Sequence, residues 1–190
     1  MKKVVVLCAV LLGVLSCSSD DNAPPPIVLQ LGDLHEGGII FYLDETGEHG
    51  LVCAMEDQHF EVYWGCETAA IDGADGKEIG AGAQNTLDIA DRCKGTEFAA
   101  ELCIDYESGG FDDWFMPSID ELKVLSLNKD LVDEALEKNS GKTIDDAEYW
   151  SSTEASLNTV YFQFMGANPD KYIQTLRDES KMNVRAIRAF

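Results

Sequence analysis

The chain has 190 residues, with 14 Lys and Arg against 35 Asp and Glu, for a net charge of −21. A surface this acidic repels nucleic acid, anionic headgroups and sulfated polysaccharides, and suits cations and neutral or basic ligands. Hydrophobic residues make up 45%, including 8 Phe, 6 Tyr and 3 Trp, enough to fill the core of one domain.

In chain order, Met1-Lys2-Lys3 is a short basic start and Val4 to Leu15 is almost wholly apolar. That run has the length of a signal-peptide core and falls short of the ~20 residues a membrane-spanning helix needs. Leu15-Ser16-Cys17 closes it like a bacterial lipobox, in which the cysteine is acylated and becomes the mature N-terminus. The expectation is therefore a signal over 1–16, a lipid on Cys17, and a tether over 17–31. Each buried methylene of such a lipid is worth ~0.8 kcal/mol, so two or three chains hold a protein on a membrane without a spanning helix. Ser18-Ser19-Asp20-Asp21 reads either as an acidic export address to the outer face of the outer membrane or as the start of a solvated linker. Ala23-Pro24-Pro25-Pro26 favours a stiff polyproline II spacer. One folded domain is expected over 32–190.

Gly37 to Leu43 and Leu51 to Ala54 are apolar, β-prone runs around a turn-like Asp44 to Gly50, the pattern of a hairpin with a long loop. Tyr63 to Thr86 is rich in Gly, Ala and Asp and reads as an ordered loop pinned by Cys66. A helix is expected to start on Asn85 or Thr86 as N-cap, and a second on Thr96. Pro117, Ser118 and Glu121 spell a capping box, with Ile119, Leu122 and Leu125 as an apolar stripe. Leu131, Val132, Ala135 and Leu136 predict a further short helix that stops at Asn139-Ser140-Gly141. "EYWSST", "TVYFQFM", "KYIQTL" and "NVRAIRAF" are spaced as an antiparallel meander. The order of hairpin, helices and meander predicts an α+β fold, an antiparallel sheet with two to four short helices on one side.

Four cysteines remain after Cys8 and Cys17. In an exported chain Cys53, Cys66, Cys93 and Cys103 imply two disulfides, and sequence-local pairing would join Cys53 to Cys66 and Cys93 to Cys103. Zinc is disfavoured because no CxxC occurs. Asp112-Asp113-Trp114 could hold a sugar, with the indole stacked on its apolar face and the carboxylates accepting hydroxyl protons. The plainer reading, a core tryptophan at a strand-to-helix junction, is the favoured one. Asp72, Asp75 and Glu78 lie in a Gly-rich loop that could hold Ca²⁺, although their spacing departs from the EF-hand and an Asp-Gly turn is the simpler account. Ser151 and Ser152 lack a GxSxG elbow and belong to a strand. Arg185 and Arg188 are expected to pair with carboxylates. No catalytic set and no cofactor emerge, apart from that possible calcium.

"GGIIFYLDETGEHGLVCA", "YWGC", "IGAGAQNT", "GGFDDWFMPSIDEL", "YWSSTE" and "VRAIRAF", in this order, resemble the Lcl C-terminal domain of bacterial collagen-like adhesins and its relatives in exported lipoproteins. The resemblance spans nearly all of Gly37 to Phe190. It implies a fold similar to the C-type lectin, adhesion through a glycan or protein ligand, and no shared catalytic residues. Together with the lipobox at Cys17 it leads to the expectation of a protein in the cell envelope, lipid-anchored to the outer membrane. The chain lacks a Gly-X-Y segment, and its acidity argues against carrying over sulfated ligands. The alternatives are a structural envelope component without a small ligand and a relative of the formylglycine-generating oxidases, which use a reactive cysteine pair.

Overall fold

The computed structural model describes residues 28–66, 70–95, 97–166, 172–178 and 180–190. The signal, Cys17, the tether up to residue 27 and the Thr96 cap lie outside the described residues. The fold is mixed α+β, with two sheets and four helices. No helix is long and apolar enough to cross a membrane among the described residues.

The first sheet has four strands. Leu34–His35 (β1), Gly38–Leu43 (β2) and Gly50–Ala54 (β3) form an antiparallel ladder, and the chain's last strand completes it on the far side of β3. The hairpin expected from the two apolar, β-prone runs is present. Its loop is held by Asp44, whose carboxylate accepts from the backbone of Thr46 and Gly47 and from the Thr46 hydroxyl. β3 is buried along its whole length, which explains why it reads as a continuous apolar run rather than an alternation.

His59–Val62 (β4) is an edge strand of the second sheet. Four helices follow that the sequence anticipated in kind. Gly82–Arg92 (α1) starts earlier than the caps suggested. Asn85 and Thr86 are not caps, because both turn inward. Asn85 is 1% exposed and donates to the Gly76 carbonyl at 2.7 Å, while the Thr86 hydroxyl donates to Gly82 O and accepts from Met116 N. Ala99–Ile104 (α2) is short, with Ala99 and Cys103 fully buried. Ile119–Leu127 (α3) carries the expected capping box: the Ser118 hydroxyl accepts from Glu121 N, and Glu121 accepts from Ser118 N at 2.7 Å. Glu121 also accepts from Gly80 N at 2.8 Å, so the same carboxylate ties the preceding loop to the helix start. Burial raises its pKa, against these hydrogen bonds. Lys129–Lys138 (α4) buries Val132, Ala135 and Leu136 but leaves Leu131 exposed.

Glu148–Ser156 (β5), Thr159–Phe164 (β6) and Ile173–Leu176 (β7) form the antiparallel meander. The meander stops there. Met182–Val184 (β8) pairs antiparallel with β4 and parallel with β5, giving the order β4-β8-β5-β6-β7. Ile187–Ala189 (β9) leaves that sheet and pairs with β3. The expectation of one sheet with helices on one side is thus corrected to two sheets with helices packed on both: α4 and α3 against β2, and α1 and α3 against β5. The reason is a split at Arg185-Ala186. Arg185 is fixed to Asp57, and the Ala54 amide donates to the Ala186 carbonyl at 2.9 Å, so β9 is delivered to the hairpin instead of continuing the meander.

Candidate functional site

Two pairs of buried ions organise the molecule, and neither is a ligand site. Arg185 is 1% exposed and donates to Asp57, to the carbonyls of Ala54 (2.9 Å) and Thr143 (3.2 Å), and twice to that of Lys142 (3.2 Å). All its donors are used. The Tyr149 hydroxyl donates to Asp57 at 2.7 Å and accepts from Asp145 N at 3.1 Å. Burial raises the Asp57 pKa against the pull of Arg185, and burial together with the Asp57 charge pushes Tyr149 up. The recess above, about 350 Å³ between Phe60, Glu137, Lys142 and Asp145, therefore has a floor already satisfied by protein. Glu154 pairs with Arg177 and accepts from Ile71 N at 2.9 Å, clasping the Gly-rich loop to β5, while Arg177 lies 5.4 Å over the Trp64 ring.

Arg188 pairs with Asp113 and Glu36, so the expectation that both C-terminal arginines meet carboxylates holds. It also decides the Asp112-Asp113-Trp114 candidate. Trp114 is 2% exposed, donates to the Phe111 carbonyl at 3.2 Å and meets Tyr106 edge-to-face at 5.2 Å. Its faces are covered and Asp113, though exposed like Asp112, is paired with Arg188, so the stacking role is not carried forward. Trp150 and the buried Ser151 and Ser152 belong to β5, as read from the pattern. Asp72, Asp75 and Glu78 are all exposed, and the Glu78 carboxylate accepts from Lys77 N. Among the described residues no three His, Cys, Asp or Glu side chains are grouped to hold a metal.

The disulfide framework differs from the local pairing. Cys66 is bonded to Cys93, with Cα atoms 5.2 Å apart, while Cys53 and Cys103 are free and buried. Cys53 cannot reach Cys66 because it stands in β3 opposite Ile39 and Ile187, inside the core of the first sheet. Cys66 instead follows a segment that runs against the end of α1, where Gly65 approaches the Cys93 sulfur closely. Burial pushes Cys53 up to about 11 and Cys103 higher still.

This bond ties together the walls of an open groove beside β4. One wall is the free side of β4 and its continuation: His59, Glu61, Val62 and Tyr63. The other is Lys94, Gly95, Glu97, Phe98 and Leu102, with Lys181 at the rim, around a volume of about 490 Å³. Cys66 lies three residues after Tyr63, and Cys93 immediately precedes Lys94. A second link is backbone, where Ala99 N donates to the Tyr63 carbonyl at 3.0 Å. Tyr63 is 41% exposed, with the Lys181 ammonium 4.6 Å over its ring. The sequence reading placed Tyr63 in the right loop but gave it no role. The available signal was alternation: Val62 and Trp64 are buried and Tyr63 between them is not.

No family model matches the chain, and no curated protein matches it.

Proposed function

We propose that the protein is an exported, lipid-anchored envelope component whose folded domain is a C-type-lectin-like binding module, and that the Tyr63–Phe98 groove is its ligand site. The observation that carries this reading is the groove itself: open, lined by an exposed aromatic ring beside charged groups of both signs, with its walls fixed in advance by a covalent bond. Preorganisation of that kind lowers the ordering entropy a ligand must offset. The disulfide suits an oxidising compartment, in line with the signal and Cys17. The α+β fold is compatible with the Lcl resemblance, and the groove replaces the Asp112-Asp113-Trp114 candidate that the residue types had offered. A binding role is favoured over a thiol-dependent oxidase because that chemistry needs accessible thiolates. Cys53 and Cys103 are instead fully buried, in different core clusters, with thiols held protonated.

Two experiments test the reading. Cys17→Ser leaves an unlipidated or uncleaved chain that no longer partitions with membranes; normal processing and full membrane partition of this variant would remove the anchor. Arrays of glycans and envelope proteins probed with the full chain yield ligands whose capture is lost in Tyr63→Ala. Ligands retained undiminished by that variant place the site elsewhere.

A further inference from the structure

Granting that the groove is the ligand site, its lining narrows the class of ligand. The whole chain carries −21, yet the groove sets Lys94, itself paired with Asp91 at 2.9 Å, and Lys181 against Glu61 and Glu97. An acidic protein that concentrates two of its few lysines beside two glutamates presents a locally balanced surface. Balanced charge offers no net attraction to a polyanion or a polycation. It does offer donors and acceptors side by side. Carboxylates accept from hydroxyls, ammonium groups donate to hydroxyl and ring oxygens, and an aromatic ring covers the apolar face of a pyranose.

The strand edge argues against the other ligand a β-groove invites. An extended peptide binds by adding a strand to a free edge. β4 is broken between His59 and Val62, where the register shifts and Glu61 adopts φ 53, and the His59 ring contacts the Phe60 carbonyl. A bulged edge with an occupied carbonyl is a poor template for strand addition. The far end is closed by the parallel bridge from Tyr63 to Phe98.

We infer that the groove between β4 and Lys94, Gly95, Glu97 and Phe98 binds a short neutral glycan, with the face of Tyr63 opposite Lys181 as the stacking surface and Glu61, Glu97, Lys94 and Lys181 as hydroxyl partners.

The test is titration of the full chain with neutral oligosaccharides of glucose, galactose, mannose and N-acetylhexosamine, beside sulfated and uronate-bearing oligosaccharides and a random peptide library. The expected result is binding of a neutral member that changes little between low and high salt. Tyr63→Ala should weaken it by about tenfold or more. Glu97→Gln, an exposed and isosteric change that leaves folding alone, should weaken it by a few-fold. Tyr172→Ala, an exposed tyrosine outside the groove, should leave it unchanged. Binding of only charged glycans, with steep salt dependence, or of peptides only, in either case lost on Tyr63→Ala, overturns the neutral-glycan inference and leaves the groove standing as the site. A ligand indifferent to Tyr63→Ala and Glu97→Gln, or no binding by any probe, overturns both.

Discussion

β3 and β4 are four residues apart in the chain and opposite in character. β3 is buried at every position, between two neighbours, in the core shared with β2 and β9. β4 is exposed at His59, Phe60 and Glu61, lies on a sheet edge and keeps only a broken ladder with β8. The first region is held by burial and regular hydrogen bonding; the second is held from outside, by the Arg185–Asp57 pair before it and the Cys66–Cys93 bond after it. The difference teaches where this fold can present a ligand surface. Backbone released from the core stays ordered only if other bonds replace burial, and here they stand on either side of the groove wall.

The sharpest way to break that contrast is at the ion pair. Asp57→Ala leaves the Arg185 charge buried without its partner, and the expected cost is about 3–5 kcal/mol by denaturant unfolding. Arg188→Ala, whose carboxylates are partly exposed, should cost far less, about 1 kcal/mol. Equal losses in the two variants would mean that the Arg185–Asp57 pair is not the anchor of the 54–57 segment.

The crosslink comes next. With a sequence separation of 27, the chain-entropy account gives about 3–4 kcal/mol for Cys66–Cys93. Cys66→Ser, Cys93→Ser and the double variant should lose similar amounts. Non-reducing peptide maps should join Cys66 to Cys93, and Cys53 and Cys103 should alkylate only after unfolding. A peptide linking Cys53 to Cys66 would restore the sequence-local framework.

A third effect is alkaline. Burial holds the Cys53 thiol at about 11 against its ordinary 9.0, and Cys103 is raised in the same direction. The unfolded chain therefore loses these protons first as pH rises. Their stabilisation is complete below 9.0 and is lost as pH climbs through about 11. The melting temperature should fall across that window, and Cys53→Ala, at a cost of about 1 kcal/mol for the lost packing, should flatten the fall. An unchanged slope in that variant would show that the thiol is not responsible.

The smallest expected change in stability is at Tyr63→Ala, within about 0.5 kcal/mol because the ring is exposed. A loss several times larger would make Tyr63 a structural support of the groove wall rather than a surface offered to ligand.

Much of the local architecture was legible in advance. The hairpin, the Ser118–Glu121 box, α4 and the β5–β7 meander each follow from short-range preferences: alternation, helical spacing, and a side chain that satisfies amides three residues away. The pairing of Arg185 and Arg188 with carboxylates was legible too, because a guanidinium in an acidic strand-rich chain has few other partners. The start of α1 was misread because Asn85 and Thr86 are good caps in isolation. Only packing reveals that their polar atoms serve Gly76 and Met116.

By itself the sequence determined most element types and the α+β class, and it set the expectations of one domain, of no polyanionic partner and of a lipid on Cys17. Those rest on local sterics, periodicity and composition, which need no knowledge of the rest of the chain. The tertiary structure alone decided that Cys66 bonds Cys93 and not Cys53, that β8 and β9 part into different sheets, that Trp114 is covered while Tyr63 is not, and that a groove opens beside β4. Each of these is a choice among distant partners, and such choices are made by which buried surfaces pack together, a property of the whole fold that no short window of residues contains.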